Sequence, residues 1–197
     1  MELAAAPTWP LRTTRLELRP FRVDDVDDLL LIHGDPVAVR YVPYRPRDRD
    51  GVVDVLRRKV PHVALRAEGD LLELAVTLRT DGTLIGDVLL ILRSVEHETL
   101  EVGYIFSRAH AGQGYATETV RALLDLAFGP LGARRVVARV DARNDASRRL
   151  LLRLGFRQEA ELVENEWFKG ELSSEVDFAV LAREWPPPPE PVEWPAP

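Results

Sequence analysis

Ser107-Arg108-Ala109-His110-Ala111-Gly112-Gln113-Gly114-Tyr115-Ala116-Thr117-Glu118 joins an apolar run, Leu100 to Phe106, to the clearest amphipathic stretch of the chain, Tyr115 to Phe128. In the second stretch Ala116, Val120, Leu123, Leu124 and Ala127 recur on one face, as a helix requires, and Gly129-Pro130 ends it. The first run has strand character. Two glycines between strand and helix let the backbone turn tightly and let a ligand come close. The free amides of the first helical turn, with the helix dipole, favour an anion such as a phosphate. No Gly-Lys-Ser/Thr follows, so the loop is not a P-loop. Thr117 stands where a dinucleotide fingerprint needs its third glycine.

Outward from this loop the chain reads as mixed α and β. Leu16 to Phe21 alternates as a strand, Asp24 to His33 reads as a helix, and Arg47 to Arg66 shows a patchy helical pattern broken at Pro61. Leu71 to Arg79 and Leu84 to Arg93 are strand-like runs joined by the turn Thr80-Asp81-Gly82-Thr83. Val136 to Val140 is a short strand, and Asp145 to Leu154 a second amphipathic helix with Asn144 as N-cap and Gly155 beyond its end. Phe156 to Leu162 and Glu175 to Leu181 close the order as strands. A helix between two strands implies a parallel crossover in the second half. The expected fold is α+β: one mixed, mostly antiparallel twisted sheet with helices on both faces.

Composition narrows the function. The 197 residues carry a net charge of −6, which excludes the basic footprint of a general nucleic-acid binder. With no cysteine, disulfides, Cys-ligated zinc and a covalent acyl-Cys route are closed. His33, His62, His97 and His110 form no metal-ligand pair at helical spacing, so no metal is expected. No run of 18 apolar residues reads as a membrane span, and the start does not read as a signal peptide, so the expected compartment is the cytoplasm. Residues 1–12 read as an N-terminal extension, 13–184 as one domain, and 185–197, with seven of the 15 prolines, as a disordered tail.

Gly112-Gln113-Gly114-Tyr115-Ala116 resembles the acyl-CoA pyrophosphate loop of the GCN5-related N-acetyltransferases (GNAT), with Gly114 and Ala116 matching and Ala111 where Gln or Arg is usual. Glu101-Val102-Gly103-Tyr104 looks like the family's splayed strand. Asn144-Asp145-Ala146-Ser147 with Leu154-Gly155-Phe156 also matches, as do Thr14-Arg15-Leu16-Glu17-Leu18-Arg19 and Glu166-Trp167-Phe168-Lys169-Gly170-Glu171 of the RimJ/RimL-like branch. The resemblance implies an acyl-CoA co-substrate, acetyl-CoA by default and succinyl-CoA as an alternative. It also implies direct attack by a primary amine (a protein N-terminus or a small molecule) in a ternary complex, and a homodimer. The cofactor contacts it implies are Gly112, Gln113, Gly114, Tyr115, Ala116, Thr117, Asn144 and Ser147, with an oxyanion-binding amide at or near Ile105.

An α-amine, with a pKa of about 7.7–8.0, needs less help to lose its proton than a lysine at about 10.4. Leu151 occupies the position where most of the superfamily places an acidic Tyr, and it cannot donate a proton. The branch offers Ser147 in that role and Glu166 as base; Glu101, beside the expected thioester, is the other candidate. Tyr104 and Tyr115 read as packing. The competing reading is an acyl-CoA-binding regulatory module that does not turn over, motivated by Leu151 and Ala111.

Overall fold

The computed structural model describes residues 9–186; most of the expected N-terminal extension and of the Pro-rich tail lies outside the described residues. The elements run β1 (Leu11–Arg12), β2 (Leu16–Pro20), α1 (Val26–His33), α2 (Arg49–Lys59), β3 (Leu71–Leu78), β4 (Leu84–Ser94), β5 (Thr99–Phe106), α3 (Tyr115–Phe128), β6 (Arg135–Asp141), α4 (Asp145–Arg153), β7 (Arg157–Phe168) and β8 (Glu171–Leu181). The strands form one sheet in the order β1-β2-β3-β4-β5-β6-β8-β7. All neighbours are antiparallel except β5 and β6, which the α3 crossover makes parallel.

Strand alternation divides the core into two layers. Leu72, Leu74, Val76, Val88, Leu90 and Val102 point to one face and pack against α3 and α4 through residues such as Leu123 and Leu151. Ala75 and Ile105 lie on the other face with Leu29 and Ile32 of α1 and Val52 and Leu56 of α2. Leu123 is fully buried, so truncation to Ala there costs about 2–5 kcal/mol.

Four elements differ from the sequence reading. Helix α2 starts at Arg49, capped by Asp48, which accepts from the Gly51 amide at 2.9 Å, and it stops at Lys59 ahead of Pro61. Strand β1 falls inside the stretch read as an extension: Leu11 pairs with Leu18 and is 1% exposed. β7 and β8 are longer than their apolar patterns indicate and form a hairpin. β7 is an edge strand exposed along nearly its whole length, and its register slips at Gln158/Ala160 and Leu162/Glu166, so no alternation survives in the sequence.

The feature that positions the site is a parting of strands. β5 pairs with β6 only through Thr99↔Arg135, Leu100↔Val136 and Glu101↔Val137. Beyond that point β5 continues to Phe106 against β4, while β6 continues to Asp141 against β8. The sheet opens between them.

Candidate active site

The gap determines which backbone groups are free. The Ser107 amide donates to Ile85 O at 2.8 Å. Antiparallel alternation then turns the amide of Ile105, like Ser107's, toward β4, and turns those of Val102, Tyr104 and Phe106 toward β6. With β6 diverging, Tyr104 and Phe106 present amides to the opening. Ile105 itself sends its side chain into the α1/α2 core, and the gap-facing amides are those one residue either side of it.

A cleft of about 1100 Å³ passes through this opening. On the α3/α4 side it is lined by the glycine loop and the start of α3. Gly112 and Gly114 have φ of 78° and 81°, the left-handed region that a side chain resists. A Cβ at Gly112 would meet nothing within 4 Å, so the loop borders open space. The first bond of α3 runs from the Glu118 amide to Gly114 O, which leaves the amides of Tyr115, Ala116 and Thr117 without an acceptor in their own helix. Glu118 does not take them. Its carboxylate accepts from Thr13 Oγ1 at 2.6 Å, from the Arg15 amide at 2.9 Å and from Arg15 Nε at 2.7 Å. Arg15 also donates to Gln113 O at 2.9 Å and lies over the Tyr115 ring. Arg15 thus braces the loop from the residue just before β2. Its role was not legible in the sequence, because the partner lies 98 residues away.

Facing this loop, α4 begins at Asn144, whose side chain accepts from the Ser147 amide at 3.2 Å. Ser147, 9% exposed, shares a 2.7 Å hydrogen bond with the Tyr104 hydroxyl. Burial pushes the Tyr104 phenol up to about 12, against the opposing hydrogen bond from Ser147. The phenol therefore stays protonated across the working range and can donate. The sequence assigned Tyr104 to packing; the structure joins it to Ser147 on the cleft wall. Leu151 is fully buried in the core behind them.

The α1/α2 side of the cleft is polar. Glu101 accepts from Arg93 Nε at 2.7 Å and lies 3.6 Å from Arg139 Nε. Deeper in, a chain of polar and charged side chains, buried in its middle and half-buried at its ends, runs His62–Glu73–Lys59–Asp87–His33–Arg47. A guanidinium can only donate, so Arg47 Nη1, 2.7 Å from His33 Nδ1, makes Nδ1 the acceptor. The ring proton then sits on Nε2, which donates to Asp87 Oδ2 at 2.7 Å. Lys59 bonds both Asp87, at 3.1 Å, and Glu73. Burial pushes the Asp87 carboxyl up, but Lys59 and His33 outweigh it and hold it below the ordinary carboxylate range. Sequence reasoning missed this network. Its signal was present: Lys59 falls on the apolar stripe of α2, and Glu73 and Asp87 interrupt apolar strands.

Glu166 lies elsewhere. It is exposed on β7, opposite Ser173, and is not part of the cleft wall. Its charge, with those of Asp177 and Glu101, helps push the Glu175 carboxyl up, the largest cause being burial. Among the described residues no cluster of three or more His, Cys, Asp or Glu is placed to hold a metal ion, and no helix is long and apolar enough to cross a membrane.

The residues present fit an acyl-CoA: unbonded amides and a dipole for the pyrophosphate, and an opening between strands for the thioester. Comparison with known proteins agrees. Residues 15–157 match the acetyltransferase (GNAT) domain model, and the chain belongs to that family. The uncharacterized N-acetyltransferase p20 of Bacillus licheniformis is 30% identical over 175 residues, 89% of this chain and 97% of that one. A GNAT-family acetyltransferase structure from Chromobacterium violaceum superposes with a TM-score of 0.79 at 28% identity, covering 94% of this chain and 92% of its own. RimJ of Mycobacterium smegmatis, solved in complex with CoA-disulfide, shares the fold, with a TM-score of 0.71 at 24% identity over 91% of this chain and 88% of its own.

Proposed function

We propose that the protein transfers an acyl group, acetyl by default, from acyl-CoA to a primary amine by direct attack in a ternary complex. The observation that carries this reading is the opening between β5 and β6, flanked on one face by the amide cradle and the Tyr104–Ser147 pair. The amides of Tyr115, Ala116 and Thr117 hold the pyrophosphate. The gap-facing amide of Tyr104 or Phe106 donates to the acyl oxygen as negative charge develops there. The amine nitrogen forms its bond to the acyl carbon as the carbon–sulfur bond breaks. Ser147 gives its hydroxyl proton to the departing sulfur, Tyr104 resupplies it across their 2.7 Å hydrogen bond, and the proton that the amine nitrogen sheds on becoming an amide returns through water in the cleft to restore the Tyr104 phenol.

No carboxylate is needed to make the attacking nitrogen neutral if the acceptor is an α-amine, half or more of which is already unprotonated near pH 8. Glu101, shared between Arg93 and Arg139, acts as a clamp on the cleft wall rather than as a base, and Glu166 serves on the exposed strand. The acidic groups Glu101, Glu175 and Asp177 on this face favour approach of a cationic amine. Isothermal titration with acetyl-CoA, succinyl-CoA and desulfo-CoA tests the reading. Micromolar binding, about −8 kcal/mol, supports it, and the preferred acyl group names the donor. Absence of heat and of thermal shift with all three defeats it. Tight binding without transfer to any amine would instead favour a regulatory acyl-CoA-binding module.

A further inference from the structure

Beside the cleft lies a second, smaller cavity of about 230 Å³, between the loop after α1 and the β7–β8 hairpin. Arg40, Arg45, Arg143 and Lys169 line it, with Glu171 as its lone carboxylate. Glu171 is committed to Arg143, which also grips Asp141. Lys169, at the hairpin turn, donates its ammonium to the carbonyls of Val39 and Arg40 and so ties the hairpin to the loop. Arg40 stacks on Tyr41, and neither Arg40 nor Arg45 makes an ion pair among the described residues. Four cations are thus gathered around a concavity in a chain whose net charge is −6. Their mutual repulsion is felt: burial first, and Arg45 second, hold the Lys169 ammonium below its ordinary value. An anion seated here would offset that repulsion.

The walls narrow the ligand. Val39 and Phe168 give the cavity apolar sides, which suit a carboxylate on a short aliphatic arm better than a bare phosphate. The cavity also shares its boundary with the cleft. Ala38 and Tyr41 line the cleft while Val39 and Arg40 line the cavity, and Asp141 on the cleft wall is bonded to Arg143 on the cavity wall. We propose that this cavity is a carboxylate-binding subsite for the acceptor, so that the protein selects amines carrying an acidic group. The acceptor role rests on the acyltransferase reading above; binding of the carboxylate does not.

The test separates the two. Wild-type protein and the variant Arg45→Ala are first saturated with desulfo-CoA, which fills the α3 cradle, and then titrated with glutarate or inorganic phosphate at constant ionic strength. Arg45 is exposed and carries no hydrogen bond among the described residues, so the variant keeps the fold. Saturable glutarate binding is expected, weakened about tenfold in Arg45→Ala through loss of a charge-assisted contact. With acetyl-CoA as donor, alanyl-glutamate amide should show a lower KM than alanyl-glutamine amide, and Arg45→Ala should remove that preference. Absence of saturable glutarate binding, equal binding in both proteins, or binding of phosphate alone overturns the proposal. Arg45-dependent glutarate binding by a protein that ignores desulfo-CoA would leave the subsite standing and defeat the acyltransferase reading.

Discussion

Gly114→Ala probes the cradle and can be paired with a control of matched backbone cost. Gly114 has φ of 81° and opens α3; Gly132 has φ of 64° and sits in the turn between α3 and β6, outside the cleft wall. Neither site is crowded: a Cβ on Gly114 comes to 3.5 Å of Arg15 Nη2, ordinary contact, and one on Gly132 meets nothing within 4 Å. The left-handed penalty for Ala is about 1–2 kcal/mol at either site. In a chain of this size each kcal/mol lowers Tm by about 2–4 °C. Both variants should therefore melt a few degrees lower, and by similar amounts. Only at Gly114 can the strain relax by moving the proposed cradle, because the following three amides are the ones left without an acceptor in their own helix. Loss of one charge-assisted hydrogen bond, about 1.5–3 kcal/mol, weakens desulfo-CoA binding by about ten- to a hundredfold. Calorimetric titration of the two variants reads this directly. Equal desulfo-CoA affinity in Gly114→Ala and Gly132→Ala would refute the cradle.

Ser147→Ala should lower kcat by about a hundredfold with little change in the KM for acyl-CoA, and adding Tyr104→Phe should cost little more, since the two hydroxyls act as one donor; steady-state kinetics of the two single variants and the double variant check this. Glu101→Gln should reduce kcat by less than about tenfold and leave the pH profile in place, because two guanidiniums already occupy the carboxylate; a hundredfold loss with a flattened acid limb would make Glu101 the base. Asp87→Asn should destabilise by about 3 kcal/mol at neutral pH, the low end for breaking a buried ion pair, since it removes one of the two carboxylates that pair Lys59 and leaves Glu73 as the other. Asp87 is held below its ordinary pKa in the fold, so its contribution is present above the unfolded value and is lost as pH falls through the folded one. The stability gap between wild type and Asp87→Asn should therefore be flat above about pH 5 and close below about pH 4, as denaturant melts across pH will show.

Legibility in the sequence followed burial. β5, α3 and α4 were readable because one face of each is committed to a core, which forces a period on the residues, and β3 and β4 because burial on both faces leaves nearly continuous apolar runs. β7 was cut short because an exposed edge strand with two register slips has no such constraint. At the site, Gly112, Gly114, Asn144 and Ser147 were found through contiguous motifs, and the fold brings them to one cleft. What escaped was tertiary. Arg15 reaches the loop from the turn before β2, Tyr104 meets Ser147 only when β5 is laid against α4, and His33, Lys59, Glu73 and Asp87 come from two helices and two strands. Glu166 shows the converse: its neighbours in sequence match a motif, yet its place on an edge strand keeps it off the cleft wall.

The account turns on transfer across the opening between β5 and β6. The direct measurement is rapid quench of enzyme, acetyl-CoA and a panel of α-amines and lysine-type amines, with intact masses of both protein and acceptor. Free CoA and N-acetylated α-amine are expected in equal amounts, with no acetylated protein at any time and with transfer slowed about a hundredfold in Ser147→Ala. An acetyl group carried on the protein before it reaches the amine, or CoA bound with no amine acetylated, would contradict it.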